Sequence, residues 1–164
     1  MQEARLELLK RMPIFGAIRN DILDFLLDRS PIVTVKKDDF FFREGEDGQT
    51  MFILESGKVA ILKLWRGEQR LLRRLETGDC FGEMALMDMK SRSASVVAIE
   101  ESSAIELSAG SLFELYERDL EQFTLIQMNM GREVSRRLRE ADDRLFGTVM
   151  EQSGHDLGDV LRST

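Results

Sequence analysis

Residues 81–96 read FGEMALMDMKSRSASV, and this stretch decides the fold of the chain. The turn signal Thr77-Gly78-Asp79 lies just before it, and an alternating run that begins at Ala94 closes it. Apolar residues at 84, 86 and 87 predict one short helical turn over 83–88. The stretch is therefore predicted to contain a short helix held between two strands.

The residue types at the two ends of this stretch favour an anionic ligand. Gly82 lacks a Cβ, so another group can approach its backbone closely, and the amides that follow resemble the unpaired donors of a helix N-terminus. Arg92 returns toward the same point with paired donors that suit a phosphate. A phosphate would repel Glu83, but Glu83 can accept a hydrogen bond from a hydroxyl of the same ligand. A phosphate beside a free hydroxyl describes a ribose phosphate.

The pattern Phe-Gly-Glu-x-Ala-Leu, followed by Arg-x-Ala-x-Val, resembles the phosphate-binding cassette of cyclic-nucleotide-binding domains. That family includes the regulatory subunits of the cyclic-AMP-dependent kinase and the catabolite activator protein. The resemblance implies that Arg92 and three backbone amides hold the cyclic phosphate, and that Glu83 accepts from the ribose 2′-hydroxyl. The amides are those of Met84, Ala85 and Ala94. The candidate ligand-binding residues are Gly82, Glu83, Met84, Ala85, Arg92, Ser93 and Ala94.

Two positions bear on how this cassette works. Ser91 stands where the kinase-type cassette usually has Pro, so the loop before Arg92 is expected to be less rigid. In related domains Ala after the cassette Arg often goes with adenine and Thr with guanine, whereas the catabolite activator protein has Ser. Ser93 lies between these cases. The expected ligand is cyclic AMP, with cyclic GMP as the less favoured alternative, and no cofactor or metal is expected.

Outside the cassette, apolar residues recur with a period of two between residues 32 and 107. Before and after that range they follow the spacing of a helix. The strand-like runs are 32–35, 40–43, 51–54, 58–65, 70–75, 94–99 and 104–107. Short strands separated by Gly and Asp turns predict a sandwich or jelly roll. The predicted class is α+β: a jelly-roll barrel of about eight short strands, with N-terminal helices, the short cassette helix and a long C-terminal helix. The family resemblance covers about residues 12–145, with turn glycines at Gly45, Gly48 and Gly57.

The long helix is predicted over 119–146, which completes a single domain of residues 1–146 before a flexible tail, 147–164. Its apolar stripe comprises Phe123, Ile126, Met130, Val134, Leu138, Ala141 and Leu145. The stripe can pack on its own domain or pair with a second subunit, and we favour a homodimer. The resemblance also implies that this helix covers the base of the nucleotide. The candidate base contacts are Met130, Glu133, Arg136 and Arg137.

Ligand binding is expected to act as a switch. A ligand shifts a conformational equilibrium only by its differential affinity for the two states. The cassette is expected to move inward, to shift the packing of Leu86 and Met87, and to swing the helix that begins near Leu112. The resemblance supports such a hinge. The signal would then pass to an unidentified downstream protein.

Composition restricts the function classes. The 164 residues carry 23 Lys and Arg against 30 Asp and Glu, a formal charge of -7, which argues against a dedicated nucleic-acid binder. No apolar run approaches the roughly 18–20 residues of a membrane span. Cys80 is the only cysteine, and the first residues lack the apolar region of a signal peptide. These features favour a cytoplasmic protein with no membrane partner.

The sequence leaves three alternatives to a small receptor module. A regulator of the catabolite-activator type carries a helix-turn-helix after its long helix, and the chain after Leu145 is too short for one, so that function requires this chain to be a fragment. A metal enzyme on a similar barrel needs a cluster of histidines, and His155 is the only one. No enzymatic activity is therefore expected. The third alternative is an interaction scaffold that keeps the fold without a ligand.

Overall fold

The computed structural model describes residues 1–153, so His155 and the rest of 154–164 lie outside the described residues. Two N-terminal helices, α1 and α2, precede eight strands; α3 lies between β6 and β7, and α4 and α5 follow β8. The helices are α1 Gln2–Lys10, α2 Asn20–Leu27, α3 Glu83–Asp88, α4 Ala109–Arg118 and α5 Leu120–Ser153. The strands are β1 Ile32–Val35, β2 Phe40–Phe42, β3 Thr50–Ser56, β4 Lys58–Trp65, β5 Glu68–Glu76, β6 Cys80–Phe81, β7 Ser95–Ala98 and β8 Ser102–Ser108.

The strands form two antiparallel sheets of four, in the orders β1-β8-β3-β6 and β2-β7-β4-β5. Buried side chains of both sheets form one core, because alternate residues of each strand face inward. These residues are Phe42, Phe52, Leu54, Val59, Ile61, Leu75, Phe81, Val96 and Ala104. The rings of Phe52 and Phe81 stack with centroids 5.3 Å apart. The predicted jelly-roll class, with helices at both ends, is confirmed.

Strand β6 is the one strand absent from the sequence prediction. It has two residues, too few to show a period of two, and it forms only because β3 lies beside it. Phe52 pairs with Phe81, and Ile53 pairs with Cys80. This pairing matters for the site, because β6 leads directly into the cassette.

The long helix differs from its predicted bounds of 119–146. Helix α5 begins at Leu120 and ends at Ser153, so the first seven residues of the predicted flexible tail are helical. No proline interrupts them, and Gly147 costs only about 1 kcal/mol relative to alanine. The Thr148 hydroxyl donates to the Arg144 carbonyl one turn earlier, at 3.0 Å. The rest of the predicted tail is outside the described residues.

By its contacts the chain divides into two units, Met1–Asn129 and the part from Met130 onward. The first unit contains all eight strands and the cassette. The treatment of 1–146 as one domain stays a prediction. No helix within residues 1–153 combines the length and the apolar character that a membrane span requires.

Candidate functional site

The cassette helix α3 is bounded by two residues with left-handed backbone. Gly82, before its first residue, has φ 82°, and Met89, after its last, has φ 58°. Glycine adopts such angles without the Cβ penalty that other residues carry. The chain can therefore turn abruptly out of β6, form six helical residues and turn again toward Arg92.

Arg92 brings the two ends of the cassette together. Its side chain is 5% exposed, and its Nη1 donates to the Thr50 carbonyl at 2.6 Å and to the Gly82 carbonyl at 3.3 Å. Its Nη2 donates to the Thr50 hydroxyl at 2.9 Å. These contacts hold Arg92 beside Gly82, where the sequence predicts that the two ends of the cassette meet.

Two glycines make room for the guanidinium. A Cβ on Gly48 would lie 2.5 Å from the Arg92 Nε, and a Cβ on Gly82 would lie 2.7 Å from Nη1. Both separations are far below van der Waals contact, so any side chain at either position would displace the guanidinium. The close approach expected at Gly82 is thus present, and the group that approaches is Arg92. The Phe42 ring packs against the same guanidinium, 4.0 Å from its centroid.

The positive charge of Arg92 is buried without an ion pair within residues 1–153. Desolvation lowers the pKa of Arg92 below its usual value, and the more distant carboxylates of Glu106 and Glu46 partly oppose this effect. A guanidinium nevertheless stays charged at neutral pH. The three hydrogen bonds use three of its five N–H donors, and the buried Nε has no acceptor in the described structure. A buried cation with spare donors is the arrangement that an anionic ligand would stabilise.

The other predicted site residues closely follow Gly82 or Arg92 along the chain. Glu83, the first residue of α3, is 6% exposed, and Ala85 is also buried. Met84 and Ser93 lie at the surface, with the Ser93 hydroxyl 3.8 Å from the Met84 sulfur. Ala94 is partly buried against the core. The structure thus places all seven candidates in one region of the first unit, and their role in binding stays a prediction.

The expected packing of α3 is half right. Leu86 is buried, as predicted, but Met87 is 40% exposed. A six-residue helix turns fewer than two full times, so only part of its surface can face the barrel. Of these two residues, Leu86 is therefore the one whose side chain is buried.

Sequence reasoning missed Thr50 and Phe42, which hold the Arg92 side chain, and treated Gly48 only as a turn residue. Thr50 lies 42 positions from Arg92 along the chain. Local pattern and period do not reveal such a contact, because it depends on how β3 is placed beside the cassette. The one available signal was the pair of glycines, Gly45 and Gly48, just before β3.

The four candidate base contacts on α5 lie in the second unit. There the Glu133 carboxylate pairs with Arg136 at 2.7 Å and with Arg137 at 3.1 Å. The hydrogen bond from Arg136 is the main reason that the pKa of Glu133 is below its usual value. Arg136 also pairs with Glu140, one turn further along. Contact of any of these residues with a base stays a prediction.

Within residues 1–153, no group of three or more His, Cys, Asp and Glu side chains is arranged to hold a metal ion.

Comparison with known proteins decides the family. The family model described as "Cyclic nucleotide-binding domain" matches residues 32–119, more than half of the chain. The chain belongs to the cyclic nucleotide-binding domain family. The match begins at β1 and ends just before α5, and it includes the whole cassette.

Individual relatives agree with this assignment. The chain is 32% identical over 135 residues to the cyclic AMP receptor protein of Thermus thermophilus. The matched region covers 82% of this chain and 61% of the relative. The crystal structure of the Thermus thermophilus catabolite activator protein superimposes with a TM-score of 0.75 at 31% identity, covering 85% of this chain and 64% of that one. Human cGMP-dependent protein kinase 2 is 36% identical over 99 residues, 59% of this chain and 12% of the kinase.

The chain therefore spans about three fifths of the length of the Thermus relative and a small part of the kinase.

Proposed function

We propose that this cyclic nucleotide-binding domain is a receptor for cyclic AMP that senses the nucleotide and carries out no catalysis itself. The observation that supports this most directly is Arg92: a buried guanidinium with no carboxylate partner within residues 1–153, packed against two glycines and retaining unused N–H donors. A cyclic phosphate would supply the missing negative charge. The family assignment supplies the nucleotide class.

In this proposal the phosphate is held by Arg92 together with the backbone amides of Met84, Ala85 and Ala94. Gly82 keeps the approach open, and the Glu83 carboxylate accepts from the ribose 2′-hydroxyl. That hydroxyl is the one ribose donor left in a 3′,5′-cyclic nucleotide, so it distinguishes the ligand from a simple phosphate ester. The buried position of Glu83 favours such a contact, because a shielded carboxylate gains more from a hydroxyl donor than an exposed one does.

The identity of the base, adenine or guanine, is a separate question from the binding of a cyclic nucleotide. Ser93, the residue after the cassette arginine, is exposed. One relative is named a cyclic AMP receptor and another a cGMP-dependent kinase, so the two names favour different bases. We infer cyclic AMP as the preferred ligand, because the relative with that name matches 82% of the chain against 59% for the kinase.

Titration calorimetry with cyclic AMP and cyclic GMP tests the receptor function. We expect micromolar or tighter binding of cyclic AMP, which corresponds to about 8 kcal/mol or more, and weaker binding of cyclic GMP. A stronger response to cyclic GMP would reverse the base assignment and leave the receptor function intact. Folded protein that binds neither nucleotide would contradict the proposal and favour a scaffold without a ligand.

The signalling step is proposed to be a movement of the C-terminal helices. Moving a population from one state to the other takes a differential binding energy of about 5.5 kcal/mol. Charge-assisted hydrogen bonds contribute roughly 1.5–3 kcal/mol each, so Arg92, Glu83 and a few amides are sufficient if they form fully only when the cassette closes. Leu86, a buried residue of α3, would transmit that closure to the core.

A truncation tests whether the long helix covers the base. A chain that ends after Asn129 keeps the compact unit with its cassette, and it keeps the Asn129 amide that donates to Ile14 and Gly16 at 3.0 Å each. We expect this chain to bind cyclic AMP about tenfold more weakly or worse, a loss of about 1.4 kcal/mol, because the base loses its cover. Unchanged affinity in a folded truncation would contradict the lid.

The apolar stripe of α5 supports the proposed homodimer. Leu138 and Leu145 are 60% and 64% exposed in the isolated chain, and burying two such side chains is favourable in a helix pair. We expect sedimentation velocity to show a dimer that Leu138→Glu converts to monomer, with Arg139→Glu on the adjoining face as the control. A wild-type chain that sediments as a monomer at high concentration would contradict this interface.

A second candidate function is the sensory part of a larger transcription regulator. The observation that favours it is the Thermus relative, of which the matched region covers 61%. Both candidates use the same site and differ in what α5 is joined to. A screen for cyclic-AMP-dependent DNA binding by the gene's complete product distinguishes them.

A further inference from the structure

A lysine on the neighbouring strand contacts the cassette from outside the predicted set of site residues. The Lys63 ammonium, on β4, donates to the Ser93 carbonyl at 2.5 Å. The same ammonium pairs with the Glu44 carboxylate at 2.8 Å. Ser93 immediately follows Arg92, so this contact acts on the segment that carries the buried cation.

Glu44 holds the lysine in place through a second bond. Its other carboxylate oxygen accepts from the Leu64 backbone amide at 2.9 Å, and its own amide donates to the buried Ser95 hydroxyl at 2.8 Å. The hydrogen bond from Lys63, followed by the one from Leu64, holds the pKa of Glu44 below its usual value. The carboxylate therefore stays ionised at neutral pH and holds the Lys63 ammonium near the Ser93 carbonyl.

The contact between Lys63 and the Ser93 carbonyl also affects the Ala94 amide, because both groups belong to one peptide unit. The Ser93 carbonyl and the Ala94 N–H belong to the same planar peptide group, and in a trans peptide they point in opposite directions. A cation bound to the carbonyl therefore fixes the direction of the amide. It also polarises the peptide group, which makes the N–H a stronger donor. No acceptor in residues 1–153 receives a hydrogen bond from the Ala94 amide.

We propose that Lys63, held by Glu44, is a positioning residue for nucleotide binding that aims the Ala94 amide at the cyclic phosphate. This inference rests on the proposed function, because it takes the Ala94 amide as a phosphate donor. Lys63 itself does not touch the nucleotide. It acts through the Ser93–Ala94 peptide, and the restraint is present before the ligand arrives.

Replacing Lys63 with methionine tests the proposal, because the side chain keeps its apolar stem and loses its donor. We expect Lys63→Met to weaken cyclic AMP binding about three- to tenfold, less than a fully buried charged contact because the Lys63 side chain is 46% exposed. Lys63→Arg, which keeps a donor, should restore most of the affinity. Lys58→Met is the matched control: it makes the same change at an exposed position of the same strand, and we expect no change in affinity.

A second measurement separates positioning from a general effect on stability. In the amide NMR spectrum of the nucleotide-free protein, Lys63→Met should shift the Ala94 resonance and leave distant core resonances in place. An unchanged Ala94 resonance would overturn the contact itself. Unchanged affinity with a shifted resonance would overturn the role in binding. Wild-type protein that binds neither nucleotide would overturn the proposed function, and with it the phosphate role of Ala94. The spectrum would still show whether Lys63 holds the Ser93–Ala94 peptide.

Discussion

Replacing Arg92 with alanine is expected to weaken cyclic AMP binding by about a hundredfold. Two charge-assisted hydrogen bonds to a phosphate, at roughly 1.5 kcal/mol each, amount to about 3 kcal/mol, and each 1.4 kcal/mol is a factor of ten. The loss is large because no second buried cation can bind the phosphate in its place: within residues 1–153, Arg92 is the one buried Lys or Arg. Titration calorimetry measures the change directly.

Arg92→Lys separates the charge from the geometry of the guanidinium. Lysine keeps the positive charge but loses the planar fork that reaches Thr50 and Gly82 together. We expect an affinity between those of the wild type and the alanine variant. Arg70→Ala removes an exposed arginine that pairs with Glu68, and it serves as the control with no expected loss.

The alanine variant also changes the folded protein, so its stability has to be measured beside its affinity. Truncation leaves the Thr50 carbonyl without its donor and opens space beside the Phe42 ring. It also removes a desolvated charge, which acts in the opposite direction. Urea unfolding of each variant shows whether enough protein is folded for titration. Affinity within about threefold of the wild type, in a folded Arg92→Ala protein, contradicts the assignment of Arg92 to the phosphate.

Replacing Gly57 with alanine is expected to lower the free energy of unfolding by about 3 kcal/mol. Gly57 joins β3 to β4 and has φ 89°, which already costs an L-residue roughly 1–2 kcal/mol. In addition, a Cβ there would lie 2.6 Å from the Glu101 carbonyl oxygen and 2.7 Å from the Ser102 Cα. Both are backbone atoms, so they cannot swing aside as the end of a flexible side chain could.

Hydrogen bonds hold Ser102, the first residue of β8, against Gly57. The one proton of the Ser102 hydroxyl has two acceptors within reach, the Glu100 carbonyl at 2.8 Å and the Lys58 carbonyl at 3.1 Å, and the hydroxyl oxygen lies 2.3 Å from where the new Cβ would sit. It also accepts from the Lys58 amide at 3.1 Å. Any shift that relieves the clash therefore breaks bonds in which a fully buried hydroxyl takes part, which is why we expect the cost to exceed that of backbone strain alone.

Gly67→Ala provides the matched control for this prediction. Gly67 has a similar φ of 83°, but a Cβ there would meet no atom within 4 Å. Its substitution should cost only the same backbone strain, roughly 1–2 kcal/mol. The difference between the two variants in urea unfolding isolates the steric contribution. Equal effects would show that the β3–β4 turn can move away from Ser102, and the steric argument would be wrong.

The class of fold and the position of the cassette could be predicted from local features of the sequence. A period of two, broken by glycine and aspartate turns, is visible within any short window, and so is the spacing from Gly82 to Arg92. The chemistry of Gly82 likewise follows from its missing Cβ. These features depend on neighbours along the chain, which is why β1 and β4 coincide with their predicted runs.

The sequence by itself thus determined that this chain forms a jelly roll with a glycine and an arginine at the two ends of one short segment. Only the tertiary structure decided what surrounds that arginine: Thr50 as its acceptor, Gly48 against its Nε, and the Lys63 contact on the adjoining peptide. The physical reason is that strand pairing and sheet stacking bring together residues about 30 to 40 positions apart. Hydrophobic period shows which face of a strand is buried, but it does not show which strand lies beside it.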